Sequence, residues 1–509
     1  MSLHIAKATE FSEPLGDRPL LQVPNSRLAV FICLFMCAVV AGTVFLGKEV
    51  AFASIPFLIA AVILLSLNRP VVALTFYFTY SALEGMFKYL SDFSPLVYII
   101  KPMLAALLLG AWLLSRGFAG KRIHMPPFAS LILLWMGWGC VEIFFPTGAG
   151  VLGSSVTFLT WYLLPISFYF MTHDCVKTYR NVHFIITVLM LLGTVISGFA
   201  LVQYGMGRDW TIAHLPGYEN ITQHNWWITN SSGQLQGTSW SPASTTSYPG
   251  IVCIWSNIAA IMALGSLLTP LSGLKRKIWL AACLIINIMA LLVSGGRMWV
   301  ILFPLEAAVL FFIALRLQPN PLHSIGLALL FVIVIGVGYI VAQNMSGGLA
   351  ASRYAATASN PFEKFATDRG GNFTSLGTFI PQHPLGIGYQ RGTDGGDNLK
   401  PLIAANRETE FGAMSADMGI PGLMLLMTVV FSFLWKGWRA CTSLQCPRSS
   451  LAALTIFVLL CGNVISFLGT PTLQGADYFW VLSAILFTLP SMERSASTET
   501  NCSQEVGRT

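Results

Sequence analysis

The feature of this sequence that most restricts its fold is a repeated run of about 17–22 apolar residues. A helix rises about 1.5 Å per residue, so ~20 residues cross a hydrocarbon core of about 30 Å. We count fourteen such runs, centred near residues 37, 59, 79, 106, 136, 161, 192, 257, 286, 307, 333, 424, 459 and 482. The sequence therefore predicts an all-α polytopic membrane protein with about 14 transmembrane helices, in a range of 12–14.

The composition agrees with a membrane protein and excludes several other classes. Charged residues make up 10% of the 509 residues, against about 25% in a soluble protein, and the mean hydropathy is +0.68. No basic stripe with interleaved aromatic residues indicates nucleic acid binding. Cys441 and Cys446 are too far apart in sequence for a CxxC metal or redox pair. We therefore expect no metal, no cofactor and no nucleic acid partner.

Most of the 29 Lys and Arg residues fall on one set of connections between the predicted helices. The short stretches FAGKRIHM (118–125) and GLKRKIW (273–279) are basic, whereas PTGAGV (146–151) has no charge. Positive residues favour the cytoplasmic side, so both termini are predicted to be cytoplasmic. The resulting organisation is a cytoplasmic tail (1–27), helices 1–7 (28–202), an extracytoplasmic loop (203–246), helices 8–11 (247–343), a large extracytoplasmic loop with the site candidates (344–412), helices 12–14 (413–490) and a cytoplasmic tail (491–509).

The two long outer loops contain the polar and aromatic residues that suggest chemistry. The first loop carries Trp226, Trp227 and Trp240, whose rings suit sugar faces but also the aromatic belt of a membrane interface. The second loop gathers six cations, among them Arg369 and Arg391, together with acids that balance them. Long loops cross the membrane regardless of charge, so these cations indicate either that tolerance or an anion-binding site.

Charged residues also occur at the ends and in the middle of the predicted helices. Arg297, after Gly295-Gly296, sits at the outer membrane edge, where it either snorkels or binds a diphosphate. Glu84 and Lys88 are four residues apart and are predicted to pair on one helix face. Snorkelling would explain Lys101 and Glu142 near the outer boundary. Glu306 lies in mid-span, where we expect a partner on another helix.

The second loop contains QHPLGIGYQRG at 382–392, followed by DMGIPGL at 417–423. Pro384 biases His383 towards an extended or turn conformation. Gly386 and Gly388 permit a positive φ or a close backbone approach, which indicates a tightly folded loop. No P-loop lysine and no GxGxxG pattern accompanies them, so a nucleotide site is not predicted.

These segments resemble the O-antigen ligase and Wzy-type polymerase superfamily. The match runs through Arg369, His383-Pro384-Leu385-Gly386-Ile387-Gly388 and Gly419-Ile420-Pro421-Gly422-Leu423. The resemblance implies an enzyme of the bacterial inner membrane with its active site facing the periplasm. Such enzymes transfer glycans from undecaprenyl diphosphate to an acceptor glycan without a metal or a nucleotide cofactor. Protein partners consistent with this class are a flippase and a chain-length regulator.

The resemblance also implies roles for particular residues. Arg369, Arg297 and Arg391 would bind the lipid diphosphate, and Glu408 would be the general base. His383 would shape or polarise the site, and the tryptophans of the first loop, Trp226, Trp227 and Trp240, would bind sugars. The catalytic candidates are therefore Glu408, His383 and Arg369.

One departure from the family pattern favours one activity over another. Ligases of the superfamily have a His-Asn pair ahead of the Gly-x-x-Gly that here begins at Gly419, and this chain has Glu408 at the histidine position. The glutamate favours a polymerase that builds exopolysaccharide or O-antigen from lipid-linked repeat units. The alternatives are a ligase that transfers finished glycan to lipid A-core or protein, and a small-solute transporter. A transporter would show inverted repeats, and the sequence has none.

Overall fold

The computed structural model describes most of the chain. The described residues are 24–145, 150–219, 226–229, 235–239, 241–269, 273–317, 325–326, 328–329, 332–333, 335–336, 339–340, 376–389, 409–469, 473 and 476–506.

The first half of the chain forms a series of helices joined by short connections. They are α1 (Pro24–Leu46), α2 (Lys48–Ser66), α3 (Pro70–Leu90), α4 (Pro95–Phe118), α5 (Ala129–Glu142), α6 (Gly150–Phe158), a π-helical turn (Leu159–Leu163), α7 (Leu164–Cys175), α8 (Tyr179–Met206) and α9 (Arg208–His214). Proline at the first turn of α3 and α4 favours the helix start, because that position needs no N–H donor. The π-helical turn makes α6 and α7 one continuous crossing.

The second half adds a small hairpin and six long helices. The hairpin pairs β1 (Trp226–Thr229) with β2 (Leu235–Ser239) in antiparallel register, and the helices are α10 (Pro249–Leu268), α11 (Leu274–Val293), α12 (Arg297–Leu317), α13 (Glu410–Ser443), α14 (Pro447–Ser466) and α15 (Asp477–Val506). Residues 376–382 form a further short helix. The apolar run near residue 333 falls largely outside the described residues, and every other predicted run coincides with a helix.

The protein is a helical polytopic membrane protein. Among the described residues, ten helices are long and apolar enough to cross a membrane. Their outer faces carry exposed large apolar side chains such as Phe45 and Leu64, as expected for surfaces in contact with lipid. The helices α3 and α10, and α15 up to residue 489, are buried on nearly all sides and form the centre of the bundle. The Thr, Tyr, Glu and Lys residues of α3 lower its hydropathy. Most of these polar side chains are buried inside the bundle and are not exposed to water.

The two ends of the bundle differ in what they contain. At one end, which we call the loop end, residues 241–248 contact α3 and residues 384–389 contact α13. At the other end, which we call the basic end, arginines at the ends of α1, α3, α4 and α8 line one cavity.

Candidate functional site

A network of buried charges joins three helices at the loop end. Lys88 Nζ lies 2.7 Å from Glu84 Oε1 on α3, as the spacing of four residues predicts. Lys101 Nζ on α4 lies 3.2 Å from Asp477 Oδ2 at the start of α15 and 3.8 Å from Glu84 Oε2. The side chain of Asp477 is 5% exposed and that of Lys101 is 23% exposed. Lys101 therefore does not snorkel, and its charge is neutralised by carboxylates on neighbouring helices.

Polar and aromatic neighbours complete this network. The hydroxyl of Tyr77 donates a hydrogen bond of 2.7 Å to Asp477 Oδ2. Lys88 donates to Ser247 Oγ at 3.3 Å, and its ammonium lies 4.2 Å from the centre of the Tyr98 ring. The two lysines match the two carboxylates in number, which offsets the cost of placing each charge away from water. Ionisable residues at membrane depth are costly, so a cluster of four marks a candidate functional site.

The polar segment 241–248 inserts between the helices next to this network. Thr245 Oγ1 donates to the carbonyl of Ala82 at 2.6 Å, and the Thr245 carbonyl accepts from the Met86 N–H at 2.9 Å. Thr245 thus bridges the two backbone groups of α3 that pair in a regular helix. Ser244 donates to the carbonyl of Ile196 on α8 at 2.6 Å. The segment is therefore part of the bundle interior.

Glycine at position 85 makes this insertion possible. A Cβ atom there would overlap the backbone of Thr246, so only glycine lets the segment approach α3 so closely. The hydroxyl of Tyr89 then donates to the Thr246 carbonyl at 2.6 Å. The backbone of the segment is thereby held against α3 at two successive helical turns.

The segment HPLGIGY packs directly against the broken helix α13. The N–H of Ile387 donates to the carbonyl of Ala416 at 2.8 Å, and the N–H of Ile420 donates to the carbonyl of Pro384 at 2.8 Å. Gly419 has φ 63° and ψ −164°, which interrupts α13 between these two contacts. The interruption frees the Ile420 N–H from its usual helical partner. The two sequence motifs that carry the family resemblance are therefore in contact, and we call this contact the motif junction.

Both glycines of HPLGIGY serve this close contact, as the sequence predicts. Gly386 has φ 85° and Gly388 has φ 76°, a region that L-residues with side chains seldom adopt. A Cβ on Gly386 would lie 2.6 Å from the Gly419 nitrogen, and one on Gly388 would lie 2.5 Å from the Phe145 carbonyl oxygen. The Gly-x-Gly is accordingly structural.

Carboxyl groups from two helices lie beside the motif junction. The hydroxyl of Tyr162, in the π-helical turn, donates to Asp417 Oδ2 at 2.6 Å. Glu142 is 1% exposed, and neither of its carboxyl oxygens has a hydrogen-bond partner among the described residues. Snorkelling therefore does not describe Glu142. A buried carboxyl group without a partner is costly, which makes Glu142 a candidate site residue.

Tyr389 closes the motif junction from the loop side. Its hydroxyl donates to the carbonyl of Gly139 on α5 at 3.0 Å. Burial, together with the nearby charges of Asp417 and Glu142, raises the pKa of the Tyr389 hydroxyl well above its usual value. Tyr389 is therefore a neutral hydrogen-bond donor that fixes the loop against α5.

The turn after α14 contacts the starts of two other helices. The N–H of Glu410 donates to the carbonyl of Phe467 at 3.0 Å, and Glu410 Oε2 accepts from the N–H of Leu473 at 3.0 Å. Gly469 in the same turn faces the side chain of Met298. The turn thus brings together the starts of α12 and α13. Both starts adjoin predicted site residues in the sequence. Arg297 is the first residue of α12, and Glu408 lies two positions before Glu410, the first residue of α13.

The structure describes only some of the predicted site residues. His383 directly follows the short helix 376–382. Its N–H donates to the Phe379 carbonyl at 2.9 Å, and its ring lies 4.9 Å from the Phe379 ring. Trp226 and Trp227 lie on β1, opposite Ser239 and Thr238. The remaining candidates lie outside the described residues: Arg369, Arg391, Glu408 and Trp240.

The predicted partner of Glu306 is present. Asn257 Nδ2 on α10 donates to Glu306 Oε2 at 2.9 Å, and Gly462 on α14 leaves room for the carboxyl group. Glu306 therefore has a structural role in joining α10, α12 and α14.

Within the described part of the chain, no group of three His, Cys, Asp or Glu residues is placed to hold a metal ion.

Two buried acids at the loop end were not predicted from the sequence, Asp477 and Glu410. Asp477 stands alone at the start of the last apolar run, and this single charge at a span boundary was a signal that could have been used. Glu410 follows Glu408 and Thr409 in NRETEF, so nothing in the sequence distinguished it from its polar neighbours.

No family model matches the chain, and no curated protein matches it either.

Proposed function

We propose that the protein is a metal-independent glycosyltransferase of the bacterial inner membrane. It would polymerise undecaprenyl-diphosphate-linked oligosaccharide repeat units into exopolysaccharide or O-antigen on the periplasmic side. The observation that carries this proposal is the motif junction. HPLGIGY and DMGIPGL are separated by a long polar stretch, yet backbone hydrogen bonds join them at the loop end. A contact of this kind supports a shared site for the residues that flank both motifs.

The chemistry of such a transfer fits the residues at this end. The acceptor hydroxyl attacks the anomeric carbon of the donor sugar, and a new C–O bond forms there. The bond from that carbon to the diphosphate oxygen breaks, and the lipid diphosphate leaves with the electron pair. A carboxylate takes the hydroxyl proton, a role we assign to Glu408. Arginines stabilise the charge that develops on the leaving diphosphate, a role we assign to Arg369, Arg297 and Arg391.

The position of Arg297 gives this assignment further support. It begins α12, whose N-terminal end carries a partial positive charge that favours anions. The turn at 467–469 places that end near the start of α13. The proposed partners of the enzyme are the lipid-linked donor, the acceptor glycan and the bilayer, with a flippase and a chain-length regulator as protein partners.

The proposal includes an orientation in the membrane. Fourteen crossings with both termini in the cytoplasm would put the loop end in the periplasm and the basic end in the cytoplasm. The concentration of Lys and Arg at the basic end supports this orientation. Reporter fusions after Gly120 and within residues 226–239 test it. A cytoplasmic signal from the second fusion would reverse the orientation and remove the basis for a periplasmic enzyme.

A complemented deletion strain tests the activity. Arg369→Ala should leave the protein in the membrane but stop polymer extension, so lipopolysaccharide gels would show a single repeat on core or secreted polysaccharide would disappear. Normal chain lengths in this variant would contradict the assignment. Glu408→Gln should also stop extension if Glu408 is the base.

The same strain separates the polymerase from its rivals. If the protein is a ligase, its deletion leaves long unligated glycan on the lipid carrier. If it is a polymerase, its deletion leaves short glycan.

A small-solute transporter is a further alternative because Glu84 and Asp477 lie within the bundle. Their charges are matched by Lys88 and Lys101 in fixed pairs, which favours a structural network over a transport path. Uptake of labelled solute into vesicles distinguishes a transporter from an enzyme.

A further inference from the structure

Glu142 lies beside the end of HPLGIGY and is closed off from solvent. It is 1% exposed, and neither of its carboxyl oxygens has a hydrogen-bond partner among the described residues. A Cβ atom on Gly388 would lie 2.5 Å from the Phe145 carbonyl oxygen and 3.4 Å from that of Glu142, so the segment packs directly on the end of α5. A covered carboxyl group without a partner is costly. A ligand reaches Glu142 only after the covering chain moves.

Asp417 on α13 is covered by the same segment. It is 1% exposed, and the N–H of Ile387 donates to the carbonyl of Ala416, the residue before it. The charges of Asp417 and Glu142 both act on the hydroxyl of Tyr389, the last residue of HPLGIGY. The two carboxyl groups are therefore neighbours, and one stretch of chain separates both of them from the solvent at the loop end.

The chain that covers these carboxyl groups packs apart from the main core. Ile387 and Phe379 form a small apolar cluster on Ala416, and within the described residues this cluster is separate from the one that fills the bundle. The ring of His383 lies 4.9 Å from the ring of Phe379, so the short helix 376–382 and the turn after it belong to one unit. A unit with its own small cluster loses less apolar burial on opening than a helix of the core does.

The change from this unit to the main core falls at a glycine. Tyr389 belongs to the main core, and its hydroxyl donates to the carbonyl of Gly139 at 3.0 Å. Gly388, between Ile387 and Tyr389, has φ 76°. Glycine moves between such a conformation and others without the steric cost that a side chain imposes. Hinges are residues that absorb a large change in φ and ψ, so Gly388 has the properties of a hinge.

We propose that residues 376–387 form a lid, hinged at Gly388, that opens at the loop end and exposes Glu142 and Asp417. Carboxylate oxygens accept hydrogen bonds from hydroxyl groups, which are the groups that a glycan presents. The open lid gives the acceptor glycan its way to these two residues. This use of the lid rests on the proposed function, whereas the opening itself does not.

Hydrogen exchange of the purified full-length protein in detergent tests the opening. Two amides report it, because the Ile387 N–H donates to Ala416 and the Ile420 N–H donates to Pro384 across the lid contact. Ile387→Ala removes an apolar anchor of the lid, so peptides with residues 387 and 420 should exchange about tenfold faster or more. Peptides of α10 should not change. Leu385→Ala is the matched control and should exchange like wild type, since Leu385 is 50% exposed in the same segment.

Chemical labelling tests whether the opening exposes Glu142. The Glu142→Cys variant is treated with a charged methanethiosulfonate reagent, and peptide mapping gives the rate of modification at each cysteine. The introduced thiol should react about tenfold faster when Ile387→Ala is also present. Cys253 in α10 is buried and is the internal reference, whose rate should stay the same. Lipid-linked repeat units extracted from the deletion strain should slow the reaction at position 142.

Two results would overturn the lid. One is equal exchange in wild type, Ile387→Ala and Leu385→Ala, and the other is a thiol in Glu142→Cys that reacts no faster than Cys253 with or without Ile387→Ala. If Ile387→Ala also speeds exchange in α10, the bundle is unfolding, and Ile387→Val replaces it under the same criteria. Labelling that repeat units do not slow would reject the use of the lid by the glycan. Normal polymer in a protein whose lid stays closed would reject the lid alone, and an opening lid without polymer formation would reject the proposed function alone.

Discussion

The ammonium group of Lys101 lies 3.2 Å from the carboxylate of Asp477, so a salt bridge joins α4 to the first turn of α15. These two helices lie more than 350 residues apart in the sequence, at Pro95–Phe118 and Asp477–Val506. Glu84 and Tyr77 attach α3 to the same pair. The three helices are therefore held at the loop end by one balanced set of charges, which is a requirement for any site built there.

Lys101→Met should destabilise the protein strongly. The substitution leaves Asp477 buried without its ammonium partner, and removal of one member of a buried pair costs about 3–5 kcal/mol. The free energy of unfolding is measured by denaturant titration in mixed micelles. Lys101→Met combined with Asp477→Asn should recover much of the loss, because no unpaired charge remains at that position. Equal instability of the single and the double variant would show that the pair does not carry the effect.

Gly386→Ala should abolish polymer formation while the protein remains in the membrane. Alanine at φ 85° is strained, and its Cβ would meet the Gly419 nitrogen at 2.6 Å, so HPLGIGY could not stay packed on α13. Polymer length in a complemented deletion strain is the readout, together with the amount of protein in membranes. Gly377→Ala is the control, because a Cβ there meets nothing within 4 Å. If both variants make normal polymer, the motif junction is not required for activity.

Glu142→Gln should lower polymerisation by about a hundredfold or more if Glu142, rather than Glu408, accepts the proton of the acceptor hydroxyl. The substitution keeps the size of the side chain, so the packing of α5 against α13 should not change. Turnover is followed with a lipid-linked repeat unit and purified protein. Glu49→Gln is a suitable comparison, since Glu49 lies in the first turn of α2. Wild-type turnover in Glu142→Gln would restrict Glu142 to a structural role.

Thr245→Val should destabilise the bundle by about 1–3 kcal/mol, the cost of a buried polar group left without its partner. Valine has a similar shape but cannot donate to the Ala82 carbonyl in α3. The melting temperature in detergent reports the loss. Thr160→Val removes an exposed hydroxyl that bonds within its own helix, and its effect should be small. A melting temperature for Thr245→Val equal to that of Thr160→Val would contradict the importance of the bridge.

The helices were predictable because their signal is local. A run of about 20 apolar residues specifies a crossing wherever it is placed. The pair Glu84–Lys88 was predictable for the same reason, since a spacing of four fixes it on one helix face. The positive φ values of Gly386 and Gly388 also followed from residue type.

The remaining contacts depend on which helices are neighbours, and the sequence of a single chain does not encode this locally. The partnership of Lys101 with Asp477 required α4 and α15 to meet. The segment 241–248 looked like a loop because it is rich in Ser and Thr. Its burial follows from hydrogen bonds to backbone groups of α3 and α8, which no side-chain pattern reveals.

The bridge between Thr245 and α3 has a consequence for how the protein is made. Ala82 enters the membrane 163 residues before Thr245 leaves the ribosome. In the interval the Ala82 carbonyl and the Met86 N–H need partners, because an unpaired backbone group in hydrocarbon costs several kcal/mol. The regular helical bond between them supplies these partners. Residues 241–248 therefore dock against a helix that is synthesised long before them, and Thr245 reaches the Ala82 carbonyl and the Met86 N–H only at that late stage.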